Sequence, residues 1–80
     1  MRNRNIVGYF RVAVNGKRYD VSYTRSEQGD ALSALNDGKV PRLLISIDNK
    51  IVCYYDEGWK LLPVDAEAQK VKDIALDRLA

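Results

Sequence analysis

Histidine is absent from this 80-residue chain. That excludes a histidine-based triad, proton relay or metal centre. A single cysteine, Cys53, cannot close an internal disulfide, and it cannot build a cysteine-rich zinc site within one chain. It stands in a run of strand formers with no cation beside it in sequence, so it reads as an inert, packed thiol rather than a nucleophile. No apolar run approaches the roughly 18 residues of a membrane span. The basic opening Met-Arg-Asn-Arg-Asn is not followed by the apolar region of a signal peptide, so a cytoplasmic protein is expected. Repeats and low-complexity segments are missing as well.

Other motifs fail on their spacing. Gly38-Lys39 lacks the upstream glycine of a phosphate-binding loop. Asn36-Asp37-Gly38 suggests a calcium loop. With Gly38 at its sixth position, however, the first, third and twelfth positions fall on Ser33, Leu35 and Leu44, and the ligands are missing. Asp56 and Glu57 are adjacent carboxylates, but neighbours on a strand point to opposite faces. No catalytic residue, cofactor or metal site is expected.

What is present fits one small α+β domain covering residues 1–80. A domain of this size buries roughly 60–65% of its unfolded surface, so its core is small and dimerisation would help it. Net charge is +2, unevenly spread. Residues 1–25 hold six bases and one acid, or +5; the remainder holds seven bases and ten acids, or −3. This asymmetry suits either an anionic partner or a solvated arginine-bearing hairpin.

Ile6 to Val14 is rich in strand formers and ends at Asn15-Gly16, the pair that a type I′ turn favours. A two-residue loop opposes Val14 and Lys17 and fixes the register outward. Val12 then meets Tyr19, Phe10 meets Val21 and Gly8 meets Tyr23 on an apolar face. Arg11 meets Asp20, Tyr9 meets Ser22 and Ala13 meets Arg18 on the other. Ser26 to Pro41 is loop-like at both ends. Asp30 could N-cap a short helix to Asn36 with Gly38 as terminator and Leu32 and Leu35 on one face; a mobile flap is the alternative.

The chain is organised around Leu43 to Trp59, read as an inner hairpin of Arg42–Asp48 and Lys50–Asp56. Its turn contains Asp48-Asn49, but the turn's length is ambiguous by one residue, and a slip would exchange the faces of the fourth strand. An Asn49-Lys50 loop opposes Ile45 to Tyr54 and Ile47 to Val52; a three-residue loop opposes Ile45 to Cys53. The first is favoured because it groups the larger apolar residues. Glu57 to Lys60 ends the sheet, and Leu61-Leu62-Pro63 forms an extended link. Asp65 caps a helix whose stripe is Ala68, Val71, Ile74, Ala75 and Leu79. The result is a four-stranded, mainly antiparallel sheet of two hairpins with one C-terminal helix on one face.

Tyr55-Asp56-Glu57-Gly58-Trp59, followed by Pro63 and a terminal helix, resembles the ending of a family of small uncharacterised proteins from Gram-positive bacteria and their phages. Val14-Asn15-Gly16 resembles the turn of that family's opening hairpin. A basic residue often precedes the glycine there, where this chain has Glu57. The resemblance implies an architecture and no activity.

Two surfaces remain. Tyr9, Arg11 and Arg18, with Lys17 at the turn and Arg4 before the strand, offer phosphate contacts and a stacking ring for nucleic acid. No RRM signature accompanies them. Leu44, Tyr54, Tyr55 and Trp59 supply an aromatic set. One of the two tyrosines must point away from the helix, which gives an apolar patch for a homodimer or another protein partner. The alternative folds Trp59 over the sheet end beneath the helix. The expected function is a non-enzymatic protein-interaction or regulatory module that self-associates. Nucleic-acid binding is the second reading and an enzyme a distant third.

Overall fold

A computed structural model of the chain describes residues 5–26 and 35–80. They form α+β architecture: a five-stranded antiparallel meander with a C-terminal helix packed on one face. The elements are β1 (Asn5–Val14), β2 (Lys17–Ser26), α1 (Leu35–Gly38), β3 (Arg42–Ile47), β4 (Lys50–Asp56), β5 (Trp59–Leu61) and α2 (Ala66–Arg78). Each strand lies beside its neighbours in sequence, in the order β1-β2-β3-β4-β5.

The first hairpin has the register set by Asn15-Gly16. Val12 opposes Tyr19, Phe10 opposes Val21 and Arg11 opposes Asp20. Asn15 and Gly16 take φ of 52° and 77°, the left-handed pair that the type I′ turn requires.

The second hairpin corrects the sequence reading. Its loop is Asp48-Asn49, both left-handed at φ 51° and 62°, and it joins Ile47 to Lys50. Asp48 therefore belongs to the turn rather than to β3. The register shifts beyond Ser46, so Ile45 opposes Cys53 and Leu44 opposes Tyr54; the favoured Ile45–Tyr54 pairing does not form. A bulge in β4 absorbs the extra residue, and Val52 and Cys53, adjacent in sequence, are both buried.

The sheet also continues further than expected. Glu57 (φ 53°) and Gly58 turn the chain back, and Trp59–Leu61 pairs with β4 as a fifth strand. Beyond it the Val64 N–H still donates to the Val52 carbonyl, at 3.1 Å.

Asp65 N-caps α2, its carboxylate accepting from the Ala68 N–H at 2.8 Å. Ala68, Val71, Ala75 and Leu79 are buried, with Ile74 half-buried beside them, as the stripe requires. They meet Val12, Val14, Tyr19, Val21, Leu43, Ile45, Cys53 and Tyr55 in one core. At α1, Leu35 and Val40 exchange backbone hydrogen bonds, and Leu35 packs against that core. Asp30 and Leu32 of the expected short helix lie outside the described residues.

Candidate functional site

Alternation along the strands sorts the side chains into two faces. Gly8, Phe10, Val12 and Val14 of β1, with their β2 partners, face α2. Val7, Tyr9, Arg11 and Ala13 face the opposite way, together with Ser22, Leu44, Ser46 and Tyr54. This second face is open among the described residues. Tyr9, Ser22, Leu44, Tyr54 and Leu61 form a row running across all five strands. Val7 is 75% exposed, Tyr9 56%, Ile51 47% and Leu61 37%, while Leu44 and Tyr54 are half-buried.

The aromatic set divides between the faces. Tyr54 lies on the open face, its hydroxyl donating to Asp56 at 3.1 Å and its ring 5.9 Å from the Arg42 guanidinium. Tyr55 is buried on the helix side, opposite Leu43, and so is not part of an exposed interface. Trp59 opposes Tyr55 and meets it edge-on at 5.1 Å. Lys72 of α2 lies 6.0 Å from the Trp59 ring, which remains 40% exposed at the margin of the helix side. Of the four interface residues read from sequence, Leu44 and Tyr54 share the open face, and Tyr55 and Trp59 belong to the other. The alternative three-residue loop, which opposes Ile45 to Cys53, is the reading that pairs Tyr54 with Leu44; the structure reaches the same pairing through a two-residue loop and a bulge. Val7, Ile51 and Leu61 were missed. The face of Val7 follows from the first hairpin, two residues before Tyr9, whereas Leu61 was legible as a strand-face residue only once the fifth strand was known.

The basic set divides too. On the open face the Tyr9 hydroxyl donates to Asp20 at 2.6 Å, and the Arg11 Nε donates to both Tyr9 (2.9 Å) and Asp20 (3.0 Å). The Tyr9 hydrogen bond, then those of Arg11, hold the Asp20 carboxyl below its usual range. The same contacts raise Arg11, Tyr9 first and Asp20 second. Arg18 is exposed opposite Ala13 on this face. Lys17 lies on the helix side, its ammonium 3.1 Å from Glu67. Arg4 lies outside the described residues. Of the described members of the candidate basic set, Arg11 and Arg18 share the open face, and Arg11 is already paired.

Glu67, in the first turn of α2, was read from sequence only as a residue outside the apolar stripe and not as a contact to the first hairpin. It accepts from the Tyr19 hydroxyl, from Asn15 Nδ2 at 3.0 Å and from Lys17, pinning the first hairpin's turn to the start of the helix. The Tyr19 hydrogen bond, followed by Asn15 and Lys17, lowers its carboxyl to about 2. The same bond, with burial, pushes Tyr19 up to about 12. These residues are distant in sequence, and only the docked helix brings them together. Burial pushes the Cys53 thiol up to about 11, against the nucleophilic form. Among the described residues, no three histidine, cysteine, aspartate or glutamate side chains are grouped to hold a metal ion, and no helix is long and apolar enough to cross a membrane.

A family model described as a domain of unknown function (DUF7678) matches residues 8–80. No curated protein and no solved structure matches the chain.

Proposed function

We propose that this chain, which belongs to the DUF7678 family, is a non-enzymatic interaction module that self-associates through its sheet. The observation that carries the reading is the open face. One helix covers one side of the sheet, and the exposed apolar side chains Val7, Tyr9, Ile51 and Leu61 lie on the other with Leu44 and Tyr54. An open face with this many exposed apolar side chains on so small a chain suits a protein partner. A second copy also offsets the small core through mass action. The reading places the protein in the cytoplasm, with the small proteins of Gram-positive bacteria and phages that its Tyr55–Trp59 ending resembles. Sedimentation equilibrium over a range of micromolar concentrations tests it. A concentration-dependent dimer insensitive to salt supports the reading; a monomer throughout removes it.

A second reading has one observation in its favour: Tyr9 is exposed beside Arg11, with Arg18 on the same face, an arrangement that stacks a base and meets a phosphate. The Arg11–Asp20 pair and the opposite orientation of Lys17 reduce the charge available for it. Binding of single-stranded oligonucleotides that weakens steeply with salt, and that Arg11→Ala with Arg18→Ala abolishes, would support it.

A further inference from the structure

We propose that the partner is a second copy of the chain, and that the two copies join edge to edge through β1, antiparallel about a two-fold axis at Tyr9, to make one continuous sheet. The inference rests on the self-association reading and specifies its geometry.

The two edges of the sheet are built differently. The β5 edge has three residues and runs into Leu62-Pro63, a short strand stopped by a residue that cannot donate. The β1 edge has ten residues. Its pairing with β2 shows no register shift, whereas β3/β4 and β4/β5 both do. β1 holds no proline and no lysine. Its single charge, Arg11, is neutralised by Asp20 within the chain. Among the described residues, the usual devices that keep an edge from pairing are missing. Among the described residues, no strand lies outside it.

The turn dictates which backbone groups the edge presents. A two-residue hairpin closes on a hydrogen-bonded pair, here Val14 and Lys17, and hydrogen-bonded pairs then alternate with non-bonded ones. Val12, Phe10 and Gly8 therefore spend their N–H and C=O groups on β2. Val7, Tyr9, Arg11 and Ala13 point theirs outward. These four residues also put their side chains on the open face, whose exposure is greatest at β1, at Val7 and Tyr9. A donor and acceptor row that no described strand meets thus coincides with the most exposed apolar side chains of that face.

A second copy suits this edge better than an arbitrary peptide because the pattern is self-complementary. Antiparallel pairing about Tyr9 sets Tyr9 against Tyr9 of the other copy, and Val7 against Arg11. The two guanidiniums stand apart, each on its own Asp20, and no like charges face each other. The aliphatic stem of each Arg11 lies over the other copy's Val7. The two open faces become one.

Amide hydrogen exchange followed by NMR on the full chain tests this, with sedimentation alongside. At low concentration Val7, Tyr9 and Arg11 should exchange freely while Gly8, Phe10 and Val12 are protected. As the dimer forms, the first set should become protected too. Val7→Pro removes an outward N–H and no bond to β2, so it should leave a folded monomer and weaken dimerisation by at least roughly tenfold. Tyr54→Lys, far from the edge, should still dimerise. A dimer in which Val7, Tyr9 and Arg11 exchange freely, or in which Val7→Pro associates as the parent does, overturns edge pairing and leaves self-association standing. A parent that is monomeric throughout overturns both.

Discussion

Glu67 shows at the scale of one residue how the helix is oriented on the sheet. The apolar stripe of α2 fixes which side of the helix is buried, and three donors from one hairpin converge on a single carboxylate at its first turn. The pH dependence follows in sign from its lowered carboxyl. The folded form holds Glu67 ionised down to about 2, against an ordinary value of 4.5. Its contribution is therefore complete above pH 4.5 and is lost as pH falls toward 2. Thermal unfolding of Glu67→Gln should show a lower Tm at neutral pH and a shallower decline on the acid side than the parent. Equal acid slopes would mean that the clamp contributes nothing. Tyr19 has the opposite sense: its contribution is present below pH 10.0 and fades toward pH 12 as the unfolded chain ionises first. Gly8 is the other residue with a local reason. A β-carbon there would run into the ring of Tyr23, which packs 5.7 Å from Phe10. Gly8→Ala should displace that ring and cost about 1–3 kcal/mol, as overpacking does. A double-mutant cycle with Tyr23→Ala checks it, because most of the cost should vanish once the ring is gone.

At the scale of elements, legibility tracked how far apart the determining residues lie. The first hairpin was readable to the residue because its turn and its face pattern are local and agree. Gly16 sits at φ 77°, so Gly16→Val should destabilise by at least about 1–2 kcal/mol, the penalty of a left-handed β-branched residue. An unchanged denaturation midpoint would contradict the turn type. The terminal helix was readable for the same reason: cap and stripe lie within one segment, and Asp65→Ala should cost about 1 kcal/mol by urea unfolding. The second hairpin was not. Asp48 and Asn49 both adopt φ > 0, a conformation that asparagine and aspartate tolerate without glycine, so the turn carried no glycine to mark it. The bulge that followed shifted Ile45 onto Cys53, and the two adjacent buried residues Val52 and Cys53 were its trace in the pattern. β5 escaped notice because Trp59-Lys60-Leu61 shows too few residues to alternate, and its pairing to β4 depends on the Glu57-Gly58 turn. The candidate surface suffered most from this. Which of Tyr54 and Tyr55 faces outward depends on that bulge, and no local signal decided between them.

The described residues of the molecule make a sheet with one side dressed by a helix and the other left open, and the adjacent tyrosines at the end of β4 separate the two roles. Tyr55 opposes Leu43 within the core and carries the edge of Trp59 against it. A lysine there would bring an ammonium into the buried space beneath α2, a change among the most costly kinds of substitution. Tyr54, its neighbour, stands half-buried on the open face between Leu44 and Leu61, its hydroxyl on Asp56 and its ring near the Arg42 guanidinium. Tyr55→Lys should therefore lower the melting temperature sharply at every protein concentration and broaden or abolish the cooperative transition. Tyr54→Lys should melt close to the parent at low concentration, within about 1 kcal/mol, as surface substitutions do. Because association adds to stability by mass action, the parent's Tm should itself rise with concentration. If the copies meet at β1, Tyr54→Lys keeps that rise; if they stack face to face, Tyr54→Lys loses it while remaining folded. Melting both variants and the parent over a concentration series thus separates three questions in one measurement: which tyrosine holds the core, whether the chain self-associates, and whether the edge or the face of the sheet makes the contact.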